Sequence, residues 1–591
     1  MKSKLWIAIA LILGASGALA QDIRLVATTA REALNNASLL RALDDTAVPQ
    51  DYIAAARADY RRLLTALYAQ GYYGGTISIT IDGAEAANLA PLAAPASIGE
   101  IVITVDAGMR FTFGEVAIAP LPPAADIPAD LGPRETARSG VIRTAAQQSL
   151  RSWRELGYPL AQVNSQQIVA RHADQKLDVT IGLDPGPQLR FSALEVSGNR
   201  RVRSERVRAI AGLPEGAIYS PAAVDRAQAR LRRTGTFNSV SLTTADQAGP
   251  DGTIGLRAQL DEAKRRRIGF GLELSSVEGV TVSSFWLHRN LLGGAERLRV
   301  EAVVSQINAD ADGVDYALRG SFGRPATLGP DTDFYINTEI ARQDADSFLI
   351  DSIEVETGLT RHLRDDLTLQ GGIGLLTARE DSDLGKRDYT LLILPLRATL
   401  DRRNDASAAS AGYYLDARAT PFASADRDLD GARLYGDARI YRSFGVDDGF
   451  TLAARGLLGS LLGAPTAEAP ADFLFYSGGG GTVRGQPYQS LGVQTQVGGQ
   501  TVTTGGASFL AAQLEARYAI RDNIALVGFY DTGFVGDTAM PGESGAWHAG
   551  AGVGLRYATG IGPIRLDLGT PASGDDAGDS LQVYIGIGQA F

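Results

Sequence analysis

The strongest regularity in this chain is an apolar–polar alternation that fills its C-terminal part. Its last stretch, Leu581–Phe591, sets Leu581, Val583, Ile585, Ile587 and Phe591 in one row. The mostly small or polar Gln582, Tyr584, Gly586, Gly588 and Ala590 form the other, and Gln589 is the one break in the apolar row. The same period of two recurs at Leu298–Val304, Leu510–Ile520, Ala549–Tyr557 and Ile564–Leu568. Successive side chains of a strand point to opposite faces, so each run predicts a strand with one apolar and one polar side. From Arg265 onward such strands and polar turns continue to the end. At roughly ten residues per strand plus connections, residues 266–591 hold about sixteen strands. Apolar rows facing lipid and polar rows facing a wet lumen make a closed antiparallel barrel. The competing fold is a large soluble β-sandwich; the export signal and the charged inner rows weigh against it.

Ahead of the barrel the period changes. Tyr60, Leu63, Leu64 and Leu67 fall at helical spacing, as do Ala146, Leu150 and Trp153, and Val224, Ala227 and Leu231. Each stripe stops at a glycine followed by an aromatic (Gly71-Tyr72, Gly157-Tyr158, Gly235-Thr236-Phe237), the signature of a glycine C-cap running into a strand. Arg110–Val116 (RFTFGEV) recurs as Arg190–Val196 (RFSALEV), and each copy follows a strand-like run that ends in an Asp-x-Gly turn. The pattern predicts three small α+β units, at residues 21–108, 109–187 and 188–265.

Composition narrows the function. Lys2 and Lys4, the apolar run Leu5–Leu13 and the small residues Ala18-Leu19-Ala20 read as a signal peptide over residues 1–20. No later stretch approaches the ~20 apolar residues of a membrane helix, so a membrane location requires a barrel. Without cysteine, the exported chain must be held by packing and strand pairing. A net charge of -11 and the lack of a basic block argue against a nucleic-acid partner. The Gly-rich Gly478–Gly481 lacks the lysine-hydroxyl ending of a phosphate loop, which excludes the usual nucleotide cradle. His172, His288, His362 and His548 have no paired metal spacing, and no Gly-x-Ser-x-Gly is present. The expectation is therefore a non-enzyme with no metal and no cofactor.

Four barrel segments resemble the outer-membrane assembly-factor superfamily that contains BamA and TamA. Val483-Arg484-Gly485-Gln486 looks like the tip of the long loop that these proteins fold back into the lumen. Gly528–Gly533 (GFYDTG) is similar to their Phe-x-Asp-x-Gly strand, Gly552–Pro571 to their closing strands, and Arg289–Gly293 to their early hairpin. The N-terminal units resemble POTRA domains, and three of them fit the TamA branch, the autotransporter assembly module, better than the five usual in BamA. The family's aromatic after Arg-Gly is Gln486 here, so its packing role does not carry over.

The resemblance implies that Arg484 and Gly485 form the loop tip, held against the strand carrying Asp531 and Gly533. A buried arginine needs a carboxylate, and its planar fork suits one better than lysine does. The first and last strands must close the barrel, so Phe270, Gly586 and Gly588 are expected at the seam, with Phe591 as the C-terminal signal. The implied function is insertion or secretion of autotransporter-type β-barrel clients through that seam, in a Gram-negative outer membrane. The N-terminal units would lie in the periplasm, and a TamB-like inner-membrane-anchored partner is implied beside the clients and the membrane lipid. A two-partner secretion transporter for one dedicated substrate, and a passive channel or receptor, remain alternatives.

Overall fold

The computed structural model describes residues 22–587 apart from 45–46, 91–94, 96, 124, 277, 309–312, 346, 446–448, 498–499, 561 and 575–576. The signal-peptide reading at 1–20, Gly588 and Phe591 lie outside the described residues.

The N-terminal part is built of α+β units. The first sheet orders its strands Asp22–Ala27, Glu100–Asp106, Thr76–Ile81 and Ala84–Glu85. The helix Pro49–Ala69 packs on it, burying Ile53, Ala56, Leu63 and Leu67 against Ile79, Ile101 and Ile103. The second sheet orders Thr112–Ala119, Lys176–Asp184 and Gln162–Arg171, with helix Ser139–Glu155 over Phe111, Phe113, Val179 and Ile181. A third sheet orders Arg190–Ser197, Thr253–Glu262 and Phe237–Ala248. The sequence repeat is thus a structural one. Its two copies lead into the strands Thr112–Ala119 and Arg190–Ser197, and Phe111, Phe113 and Phe191 are buried.

Sixteen strands form a closed antiparallel barrel. They are β1 (Arg266–Ser275), β2 (Gly279–Arg289), β3 (Arg297–Ile307), β4 (Asp315–Arg324), β5 (Thr332–Ala345), β6 (Phe348–Arg364) and β7 (Leu367–Ser382). Then follow β8 (Gly385–Ile393 with Leu396–Asp401), β9 (Gly412–Ser424), β10 (Asp430–Phe444) and β11 (Phe450–Leu462). The barrel ends with β12 (Ser508–Arg521), β13 (Ile524–Gly536), β14 (Ala546–Tyr557), β15 (Ile564–Pro571) and β16 (Gln582–Ile587). β8 is broken at Leu394-Pro395, where proline offers no N–H to the ladder; both of its segments pair with β7 and β9.

The barrel is inside-out relative to a soluble protein. On β12, Leu514, Tyr518 and Ile520 face outward while Gln513, Glu515 and Arg517 are buried. Carboxylate–guanidinium groups line the inner wall: Asp416 accepts from Arg397 Nε at 2.7 Å and Arg418 Nε at 2.8 Å. Asp437 likewise pairs with Arg439 and Arg455. The buried carboxylates Asp416 and Asp437 persist there because each has guanidinium partners. At the far end, where odd-numbered strands finish, an apolar plug replaces them. Phe473, Leu474 and Phe475 of the β11–β12 connection pack on Ile350, Tyr389, Leu391, Phe422 and Phe509.

At the near end, the larger compact unit joins residues 194–213 and 224–243 to the barrel. Arg230 grips Asp331 side-on, with Nε–Oδ1 at 2.7 Å and Nη2–Oδ2 at 2.5 Å. Arg203 and Arg206 donate to the carbonyls of Leu292 and Pro325 in the β2–β3 and β4–β5 turns. These guanidiniums fix the helices Ser204–Ala211 and Pro221–Arg233 to two barrel turns, and the two-point grip of Arg230 is one that a lysine could not duplicate.

Candidate functional site

The β11–β12 connection, residues 463–507, returns from the far end into the lumen, and its tip places Arg484 level with the middle of the strands. Arg484 is 1% exposed. Its Nε and Nη2 bind Asp531 Oδ2 and Oδ1 at 2.7 and 3.0 Å, a bidentate pair, while its backbone N–H donates to Asp531 Oδ2 at 3.1 Å. Nη1 reaches Glu515 Oε1 at 2.6 Å and Asp567 Oδ2 at 3.3 Å. The guanidinium carbon stacks 3.8 Å over the Phe529 ring. Arg517 and Arg556 complete the cluster by pairing with Glu515 and Asp567. Three guanidiniums thus face three carboxylates supplied by β12, β13 and β15. That balance is what lets the group stay buried, since one unpaired charge there would cost several kcal/mol.

Small residues let the tip lie flat on the wall. Gly485 adopts φ +92°, and a Cβ there would stand 2.4 Å from Thr570 O. At Gly550 of β14 a Cβ would meet the carbonyl oxygen of Arg484 at 1.9 Å. At Gly533 of β13 it would meet Ser477 Oγ at 2.2 Å and Val483 at 2.9 Å. Gln486, standing where the family has an aromatic, is held by polarity: its Nε2 donates to Ala549 O at 2.7 Å. His548 Nε2 and Ser477 Oγ are 2.8 Å apart, which further ties the loop to β14.

The structure therefore brings Arg484, Gly485, Asp531 and Gly533 together. Phe270 and Gly586 lie on the two strands that meet at the seam. β1 pairs with β16 at Leu274↔Ile585 and Ser275↔Tyr584. Phe270, 83% exposed, points outward and is not among those described pairs. Gly586 pairs with Arg565 of β15. Its bare Cα leaves room for Arg565 to cross the last strand to Glu273 on β1, an ion pair over the seam. Its contribution is thus space for a side chain, in addition to weak strand propensity. Glu515, Asp567, Arg517, Arg556 and Gly550 were not singled out from sequence as site residues. Their only signal was membership of the polar rows on β12, β14 and β15.

Asp472, at the base of the loop, carries a pH prediction. Burial raises its carboxyl from 3.8 to about 6, against the opposing pull of Arg433. A folded state that holds the proton more tightly than the unfolded chain is most favoured below the unfolded value. That contribution is lost as pH rises through about 6. Asp472→Asn is expected to stabilise the folded state at neutral pH by at most roughly 3 kcal/mol, read as a higher urea midpoint, and to flatten the fall of that midpoint between about pH 4 and 6. Equal midpoints for both proteins at neutral pH would contradict this.

Comparison with known proteins agrees with this geometry. The Omp85 superfamily domain model matches residues 290–591, more than half of the chain. A POTRA model, described as a surface antigen variable number repeat, matches residues 189–263. The fold is similar to the crystal structure of BamA from Haemophilus ducreyi lacking POTRA domains 1–3, with a TM-score of 0.63 and 16% identity over 81% of this chain and 100% of that one. It is also similar to CdiB from Acinetobacter baumannii, with a TM-score of 0.51 and 14% identity over 81% of this chain and 89% of that one. A closed sixteen-stranded barrel, a POTRA domain ahead of it and the matching model together establish that this chain belongs to the Omp85 superfamily.

Proposed function

We propose that this protein inserts or secretes other polypeptides across an outer membrane by opening the β1–β16 seam. The observation that carries the reading is the difference, among the described residues, between the two pairings of β1. β1 runs along β2 over all ten residues, Arg266↔His288 to Ser275↔Gly279. Toward β16 it has, among the described residues, the two register pairs at its far end, with Ser276 N–H donating to Val583 O at 2.9 Å. Among the described residues, parting β1 from β16 breaks few hydrogen bonds, each worth about 1 kcal/mol net. A client strand that adds to the uncovered β1 edge replaces them, so strand exchange and lipid burial supply the free energy without a nucleotide.

In this reading the barrel lies in the outer membrane of a Gram-negative bacterium, with three POTRA-like units (21–108, 109–187 and 188–265) in the periplasm. The exposed edge strand Gln162–Arg171 offers unpaired backbone to extended clients. The clients are autotransporter-type barrels and the periplasmic partner is a TamB-like, inner-membrane-anchored protein, as the resemblance to the TamA branch implies. The Arg484 cluster acts as the lock of the lumen loop. Export of one dedicated substrate through the lumen, the two-partner alternative, requires that lock to release, because the loop tip is bound to the inner wall.

The test is a reversible seam lock. The register selects Leu274→Cys with Ile585→Cys, which lie directly opposite one another. Oxidation is expected to abolish client insertion into liposomes, and reduction to restore it. Full insertion by the oxidised protein would overturn the seam reading. Photo-crosslinking from Tyr72 distinguishes partners: a large inner-membrane-anchored protein supports the assembly role, a single exported protein the dedicated transporter.

A further inference from the structure

The loop tip touches both walls of the seam as well as the ion cluster. On one side, Gly480 N–H donates to Glu278 Oε1 at 2.6 Å. Glu278 sits in the β1–β2 turn, and its own N–H donates to Ser275 Oγ at 3.1 Å. On the other side, Gly485 N–H donates to the Tyr584 hydroxyl at 3.1 Å. Tyr584 is the β16 residue directly opposite Ser275, and its hydroxyl donates onward to Gln582 Oε1 at 2.6 Å. Gly480 is threaded between the two walls. A Cβ there would lie 3.3 Å from Tyr584 Cδ1 and 3.6 Å from Glu278 Oε1.

We infer that Gly480–Gly485 is a strap laid across the inside of the seam, and that Glu278 and Tyr584 are the positioning residues that set how readily β1 and β16 part. This rests on the seam reading above and adds the part of the molecule that regulates it. The asymmetry of the anchors gives the strap its direction. Arg484 ties it to β12, β13 and β15, and Tyr584 ties it to β16, so the strap stays with the β16 wall when the seam opens. Glu278–Gly480 is then a contact that the β1–β2 hairpin must release. A half-buried carboxylate against a backbone N–H makes a strong but short-ranged bond, well suited to a release step. Glu278 is held close to the seam by Ser275, so the strap and the strand pairing loosen together.

The experiment uses the full chain in liposomes and reads the seam itself. The initial rate of disulfide formation between Leu274→Cys and Ile585→Cys reports how long the two strands stay apposed. Glu278→Ala is expected to slow it about threefold or more, the scale of losing one charge-assisted hydrogen bond. Glu278→Gln, whose amide oxygen accepts the same N–H, is expected to restore it. Tyr584→Phe, which keeps the ring and removes the acceptor, is expected to slow it as well. Unheated electrophoretic mobility verifies that each barrel is folded, and Tyr584→Phe carries the test if Glu278→Ala does not fold. Unchanged rates in the folded variants, or failure of Glu278→Gln to recover, would overturn the strap. Because the rate is measured without a client, that failure is distinct from a failure of seam-mediated insertion, which the reversible lock reads separately.

Discussion

Replacing Arg484 with alanine is expected to lower barrel stability by about 3–5 kcal/mol and to abolish client insertion, the largest single effect in the molecule. The change leaves Glu515, Asp531 and Asp567 facing only Arg517 and Arg556, all in a volume where the carboxylates are essentially unexposed. An uncompensated carboxylate must then drag in water or expel the loop. Either outcome opens the lumen. The measurement is a urea series scored by unheated electrophoretic mobility, alongside planar-bilayer conductance. A lower midpoint and a standing current are expected. Arg484→Lys should fall between the two, since the ammonium restores charge but cannot span both oxygens of Asp531 while also reaching Glu515. An unchanged midpoint and a silent barrel in Arg484→Ala would mean that the cluster does not hold the loop.

The second large effect is expected at Gly550→Ala. Its methyl group would be driven to 1.9 Å from the Arg484 carbonyl oxygen and 3.0 Å from the carbonyl carbon. The obstacle is backbone on both sides, so neither partner can rotate away. Overpacking of this kind costs about 1–3 kcal/mol where the surroundings can shift. Here the shift is the loop itself, so the phenotype should approach that of Arg484→Ala in conductance and insertion. Gly533→Ala is expected to act similarly through Ser477 and Val483. Gly528→Ala, on the same strand but with nothing within 4 Å, is the control and should behave as wild type. Equal behaviour of Gly550→Ala and Gly528→Ala would separate the loop from the glycine platform.

Both predictions concern residues that sequence reading treated very unevenly. Arg484 and Asp531 stood out because their motifs resemble a known family's. Glu515, Arg517, Arg556 and Asp567 appeared only as polar members of alternating rows. Alternation assigns a residue to the lumen face but says nothing of height in the barrel. Three strands, staggered against one another, had to be set in register before Glu515, Asp531 and Asp567 could be seen to meet at one guanidinium. Glycines behaved the same way. Gly550 and Gly554 read alike from sequence, yet one faces the carbonyl of Arg484 and the other the side chain of Asp567.

The seam shows the limit most clearly. That β1 and β16 must close the barrel follows from topology, but which residues pair depends on the shear of the whole sheet. The described contact is made by Leu274 and Ser275. Glu278 offered no signal in the chain. It lies 202 positions from Gly480, and only the return of the loop into the lumen brings them together.

Local periodicity, then, determined what this protein is made of. Period two set the strands and their lipid and lumen faces, period 3.6 set the N-terminal helices, and the repeated Arg-Phe segment set equivalent strands. These are properties of a few neighbouring residues and survive without a partner. Tertiary structure alone decided the charge-balanced cluster at Arg484, the meeting of Leu274 and Ser275 with Ile585 and Tyr584, and the strap between Glu278 and Tyr584. Each depends on distances between segments far apart in sequence, fixed only when sixteen strands close with one common register and the loop fills the space they enclose.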